Sequence, residues 1–226
     1  MLKPHYKTRT YIEVHRDNQS RYHNATGPAI IYDDGSKAWY IHGMLHREYA
    51  PAVERSDGVY EWYHKGKLHR EDGPAVVYPD SSEDWYLNGE YHRVGAPATI
   101  SKSRGIQRWF FRGELHREDG PAYDCINYQS WYQHGKRHRT VGPAIVGPTA
   151  LIWYQNHERH RLDGPAVINL NAHDGRPTGH VEYYVNGVYY SKDRYKHAVA
   201  LWTSYKDVTR SEIQHLIGNF RIVEWD

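Results

Sequence analysis

The sequence predicts a mainly β protein: an elongated antiparallel β-meander of tandem hairpin repeats, each about 23 residues long, with a small C-terminal α-helical cap. Three observations carry this reading. A Pro-Ala step, most often preceded by Gly, recurs at Pro28, Pro51, Pro74, Pro97, Pro121, Pro143 and Pro165. A tryptophan keeps the same phase, at Trp39, Trp62, Trp85, Trp109, Trp131 and Trp153, each followed by Tyr or Phe. A His-Arg pair then closes the unit, at His46-Arg47, His69-Arg70, His92-Arg93, His116-Arg117, His138-Arg139 and His160-Arg161. Self-similarity at a fixed period of this length is the signature of a repeat architecture.

Local chemistry divides each unit into strands and turns. AIIY after Pro28 and AVVY after Pro74 are short and rich in β-branched residues and Tyr, with turn formers on both sides. DDGS at 33–36 and SDGV at 56–59 place Gly where a turn needs positive φ. KAWYI and YEWYH read as the returning strand, and His42-Gly43, Lys65-Gly66 and Asn88-Gly89 supply a second tight turn. Proline, lacking an N–H, is expected at the first residue of a strand. One hairpin is marginal alone, so stacked copies must stabilise one another. Side chains alternate along a strand, which predicts the Trp column on one face and the Tyr/Phe column on the other.

The ends depart from the pattern. Residues 1–26 read as a degenerate first hairpin without Trp-Tyr, and an insertion at 171–180 interrupts the last unit. From Ser191 the spacing becomes helical, with Ser191 and Thr209 or Ser211 as N-cap candidates and RIVEWD at 221–226 as a final strand. The division expected is therefore a repeat domain over 1–190 and a helical cap over 191–226, covering a sheet edge that would otherwise invite pairing.

Composition narrows the function classes. The 226 residues include 21 Tyr and 8 Trp, and mean hydropathy is −0.88. Disordered chains are poor in aromatics, so this one is read as folded with aromatic area near solvent. Basic and acidic residues number 29 and 27, a net +2, unlike the strong basic bias of a dedicated nucleic-acid binder. No apolar leader or span of membrane length is visible, and Cys125 is the only cysteine. A soluble cytoplasmic protein is expected, with no cofactor and no catalytic motif.

The unit resembles the MORN repeat, an aromatic strand followed by a Gly turn, a His step and a strand ending in Asp-Gly. Trp62-Tyr63, Gly66, His69 and Asp57-Gly58 match in order and spacing, whereas Arg70 stands where that family usually has Gly. The WYxNGxxHRxDGPA variant is similar to repeat proteins of phages, large viruses and bacteria. The resemblance implies an interaction scaffold, and a phage- or virus-encoded one that binds a host protein and interferes with it.

The His-Arg column is read in two ways. Structurally, His packs at a corner and Arg pairs with Glu48, Glu71 and Asp72, Glu118 and Asp119, or Asp163. As an anion ladder, the column with Lys67, Lys136 and Arg137 would bind nucleic acid or a nucleotide beside the aromatic rows. Metal binding is not expected, because equivalent residues of successive repeats lie roughly 10 Å apart. A protein partner is the favoured ligand. Its contacts are expected where the repeat does not dictate the residue: Phe110, Phe111, His173, Asp174, Arg176, Trp202 and Tyr205. Pairing of two copies through a sheet edge is a further expectation.

Overall fold

The computed structural model describes residues 10–204 apart from 172 and 175, so Tyr205, the Thr209 or Ser211 cap and the strand expected at 221–226 lie outside the described residues. The fold class is the predicted one: antiparallel hairpins in meander order, followed by one helix, α1 (Lys192–Ser204). The chain forms two compact units, residues 1–126 and 127–226.

The first unit shows the repeat most plainly. Val76–Val77 pairs with Glu83–Asp84 through a turn in which Ser82 N–H bonds Asp80 Oδ1 at 2.9 Å and Tyr78 N–H bonds the Ser82 carbonyl at 3.0 Å. Tyr86–Leu87 then pairs with Glu90–Tyr91 across Asn88-Gly89, where φ is 54° and 89°. Positive φ at both positions is the requirement of the hairpin turn whose twist matches the strands. The first of these hairpins belongs to the long sheet, and the second forms a small two-stranded sheet of its own.

The returning strand expected to run through Trp is therefore split there. Each Trp N–H bonds the carbonyl of the next repeat's Ala at 2.7–2.8 Å, and each of these Trp carbonyls takes the N–H of its own repeat's His at 3.0–3.1 Å. The tryptophan hands the backbone from one hairpin to the other. The prolines also differ from expectation. Strands begin two residues later, as at Ile30 after Pro28 and Val76 after Pro74, because the intervening Ala is the residue that bonds Trp. All seven of these alanines, Ala29, Ala52, Ala75, Ala98, Ala122, Ala144 and Ala166, are completely buried.

Residues 10–26 hold more of a hairpin than the sequence suggests, with Arg16 bridged to Tyr22. Tyr11–Val14 pairs with Ile30–Tyr32, and His23 N–H bonds the His15 carbonyl as a repeat His bonds Trp. Asn24 stands in for arginine, its Nδ2 donating to the Pro28 carbonyl at 3.0 Å.

In the second unit the insertion lengthens a hairpin instead of forming a free loop. Val167–Leu170 pairs with Pro177–Val185 through an irregular register, and residues 177–180 are strand. Helix α1 packs on Pro177–Val185 and Val188–Tyr190. Tyr195 and Ala198 join Val185 and Tyr190 in a buried cluster flanked by Leu162 and Val199. Tyr195 Oη also donates to the Arg161 carbonyl at 2.9 Å and accepts Gly164 N–H at 3.0 Å, so the helix is tied to the last Gly-Pro corner.

Candidate functional site

The His-Arg column is built into the repeat by both of its residues. Each histidine follows a small hairpin, and five of the six direct Nδ1 at the next repeat's turn. His46 accepts from Lys65 N–H at 3.3 Å, His69 from Asn88 at 3.0 Å, His92 from Arg112 at 3.2 Å, His138 from Asn156 at 3.2 Å and His160 from Asn186 at 3.1 Å. An imidazole nitrogen accepts a hydrogen bond only where it carries no proton, so these contacts favour the tautomer with its proton on Nε2. His160 is 5% exposed, and burial pushes its pKa below the usual histidine value.

Each arginine lies over the tryptophan of its own repeat. The guanidinium carbon stands 3.9 Å from the Trp39 ring centroid for Arg47, 4.3 Å from Trp62 for Arg70 and 3.7 Å from Trp85 for Arg93. The distances are 4.1 Å from Trp109 for Arg117, 3.8 Å from Trp131 for Arg139 and 4.0 Å from Trp153 for Arg161. Nη1 of each also donates to the carbonyl of the proline four residues on, at 2.9–3.4 Å. A cation on an aromatic face contributes roughly 0.5–2 kcal/mol, depending on desolvation.

The acid partners only partly match the sequence reading. Arg70, Arg117 and Arg161 donate through Nε to Asp72, Asp119 and Asp163 at 2.9, 2.8 and 2.7 Å. These hydrogen bonds and the guanidinium charge hold the three carboxyls below the usual carboxylate range. Arg47 pairs with Glu54 at 2.9 Å, not with the adjacent Glu48. Glu71 and Glu118 face His69 and His116 at 3.7 and 3.9 Å instead of the arginines. The same packing accounts for the glycine before proline in the repeats that carry the aspartate. A Cβ on Gly73 would meet Arg70 Cζ at 2.8 Å, and one on Gly120 would meet Arg117 Cζ at 2.7 Å. Alanine occupies this place only in the repeats without the aspartate, at Ala50 and Ala96.

The aromatic residues after Trp have different partners. Phe110 stacks on Tyr91 at 4.9 Å, and Tyr91 on Tyr86 at 4.2 Å. Phe111 belongs to the histidine row, 5.0 Å from the His92 ring and 6.1 Å from His116. His64 holds the corresponding place between His46 and His69. The Phe110-Phe111 irregularity thus continues two columns that already exist.

In the second unit Arg137 and Arg159 enter the Tyr column at the position where other repeats carry Leu45, Leu68, Tyr91 and Leu115. Arg137 lies 5.7 Å from both Tyr132 and Tyr154, and Arg159 reaches Glu182 and Tyr184 Oη, each at 3.0 Å. Arg137 is among the cations expected from the sequence and Arg159 is not, although the residue before each His marks both.

A shallow hollow of about 330 Å³ in the first unit is lined by Tyr78, Asp84, Tyr91, Thr99, Arg104 and Arg108, among others. Burial raises the Asp84 pKa, and the carboxylate accepts the Tyr78 hydroxyl at 2.9 Å. Among the described residues no group of three His, Cys, Asp or Glu side chains is placed to hold a metal.

The remaining candidates lie apart from the column. His173, Asp174 and Arg176 occupy the tip of the long hairpin, with Asn171 and Asp174 side chains capping the turn through His173 N–H and Arg176 N–H. Trp202 falls within α1, and its side chain lies outside what is described. No described helix is long and apolar enough to cross a membrane. Comparison with family models and with curated proteins gives no match to this chain.

Proposed function

We propose that this chain is a non-catalytic repeat scaffold that binds another protein in the cytoplasm. On the MORN-like resemblance of its unit, we read it as a phage- or virus-encoded protein that binds a host protein and interferes with it. The observation carrying the scaffold reading is how the repeat uses its polar groups. Five of the six histidine Nδ1 atoms bond the next repeat's turn and every arginine Nη1 bonds its proline carbonyl, whereas side chains that the repeat does not dictate stand exposed. Tyr49, Val94 and Val141, in the loops after Arg47, Arg93 and Arg139, are 97, 79 and 80% exposed. Exposed apolar side chains of this kind, present in each unit by itself, suit recognition of a partner surface. Affinity capture with the full chain, followed by reconstitution with the purified partner, tests the reading. A saturable complex of two purified proteins supports it, and failure to reconstitute any captured protein removes it.

A second reading, an anion-binding module for nucleic acid or a nucleotide, draws on cations beside aromatic rings, as at Arg137 between Tyr132 and Tyr154. Oligonucleotide affinity that falls steeply with salt would favour it, and absence of binding at low salt would remove it.

A further inference from the structure

The arginines of the column divide by what completes them. Arg70, Arg117 and Arg161 have an aspartate two residues on; the corresponding residues after Arg47, Arg93 and Arg139 are Tyr49, Gly95 and Val141. The alternation is strict through six repeats and leaves a geometric trace. Without the aspartate the guanidinium lies 3.7–3.9 Å from the Trp centroid, and with it 4.0–4.3 Å. Arg47 has Glu54 in compensation. Arg93 and Arg139 keep the ring and the proline carbonyl, but have no carboxylate within ion-pair distance among the described residues. Burial alone lowers the Arg139 pKa, as expected for a desolvated cation without a counter-charge.

We infer that Arg93 and Arg139 are docking positions for Asp or Glu side chains of a protein partner, each carboxylate taking the place that Asp72, Asp119 and Asp163 fill in their own repeats. The inference rests on the scaffold reading and names the chemistry of its partner. Arg93 stands in the first unit and Arg139 in the second, so each is a position in its own right. The sister repeats supply the template: an Nε–H to carboxylate bond of 2.7–2.9 Å made while the guanidinium stays on the indole. Charge-assisted bonds of this kind are about twice as strong as neutral ones. Val94, directly after Arg93, and Val141, two residues after Arg139, are 79 and 80% exposed. They favour a carboxylate flanked by apolar residues over a phosphate backbone, which would set a polyanion against bare valine.

The test follows the arginine Nε–H resonances of the full chain by NMR during titration with the peptide Ac-Leu-Asp-Leu-NH2. Parallel arms use Ac-Leu-Asn-Leu-NH2, inorganic phosphate and a thymidine dodecamer. Saturable shifts are expected at Arg93 and Arg139 with the Asp peptide and not with the Asn peptide, while Arg70, Arg117 and Arg161 stay unmoved. V141D supplies an internal carboxylate at an exposed position, so it should abolish the Arg139 response and leave that of Arg93. The inference is overturned if neither arginine responds at millimolar peptide, if the dodecamer or phosphate competes more strongly than the Asp peptide, or if V141D leaves the Arg139 response intact. Reconstitution of a captured partner with an unresponsive Arg93 and Arg139 would remove these docking positions and keep the scaffold reading. Peptide binding without any reconstituted partner would do the opposite.

Discussion

His69 Nδ1 accepts the backbone N–H of Asn88 at 3.0 Å, so a side chain of one repeat closes the hairpin turn of the next. Asn88 is held at a positive φ of 54°, and the bond anchors a turn that the backbone alone would not favour. H69A removes the acceptor from an exposed turn that water can reach. It is expected to lower unfolding stability by about 1 kcal/mol, the usual net worth of one hydrogen bond. H69N keeps an acceptor near the same place and should lose less. Urea unfolding followed by tryptophan fluorescence checks the pair, and equal losses for both variants would show that packing, not the bond, is responsible.

The same geometry gives a pH dependence at His160. Its folded pKa lies below the unfolded value because burial disfavours the charged ring, and Nδ1 is committed to Asn186 N–H. The unfolded chain therefore binds more protons in the window between the two values. The contribution of this residue is whole above the unfolded value of about 6.5 and declines as pH falls toward the lowered folded pKa. Wild type should lose more stability than H160N between pH 7.5 and 5.5, a difference that cancels the histidines common to both. Identical pH profiles would rule out this contribution.

Much of this was legible from phase alone. Period, turn chemistry and alternation locate the hairpins, because a Gly or Asn at a tight turn and a β-branched pair beside it act locally. The break at each Trp was not legible, since it depends on Trp N–H finding the Ala carbonyl of the following repeat. Glu54 as the partner of Arg47 was missed for a similar reason: the arginine reaches an acid on the next strand past the adjacent Glu48. Asn24 at an arginine position was hidden because its amide makes the same bond to proline with a shorter side chain. The alternation of Asp72, Asp119 and Asp163 with Tyr49, Gly95 and Val141 was in plain view. Only the paired geometry gives it a consequence.

The glycine before proline should be coupled to the aspartate before it. Arg70 is held by Asp72 where a Gly73 Cβ would lie, 2.8 Å from Cζ. G73A is expected to cost about 1–3 kcal/mol, in the range of an overpacked contact. In a D72Y background, which reproduces the Tyr49-Ala50 pair of an earlier repeat, the guanidinium can settle toward the ring and the added methyl should cost less. A coupling of roughly 0.5 kcal/mol or more in the double-mutant cycle is the expected result. Additive effects would mean that the aspartate does not position the arginine.

The helix offers the sharpest test of the C-terminal arrangement. Tyr195 is 6% exposed, and its hydroxyl bridges the Arg161 carbonyl and Gly164 N–H while its ring lies 4.8 Å from Tyr183. Burial raises its pKa, as expected for a phenol kept from solvent. Y195F retains the ring packing and removes only the hydroxyl, leaving a donor and an acceptor at the last Gly-Pro corner without that partner. A loss of about 1–3 kcal/mol follows if both groups stay desolvated. Hydrogen exchange separates the two ways of losing it. If the hydroxyl ties the helix to the repeat, Gly164 N–H and the amides of Lys192–Ser204 should exchange faster together in Y195F. If only Gly164 changes, the helix is held by the apolar cluster of Val185, Tyr190 and Ala198. In that event A198D should release it, and Gly164 N–H, which bonds the helix-borne Tyr195 hydroxyl, should lose protection together with the helix amides.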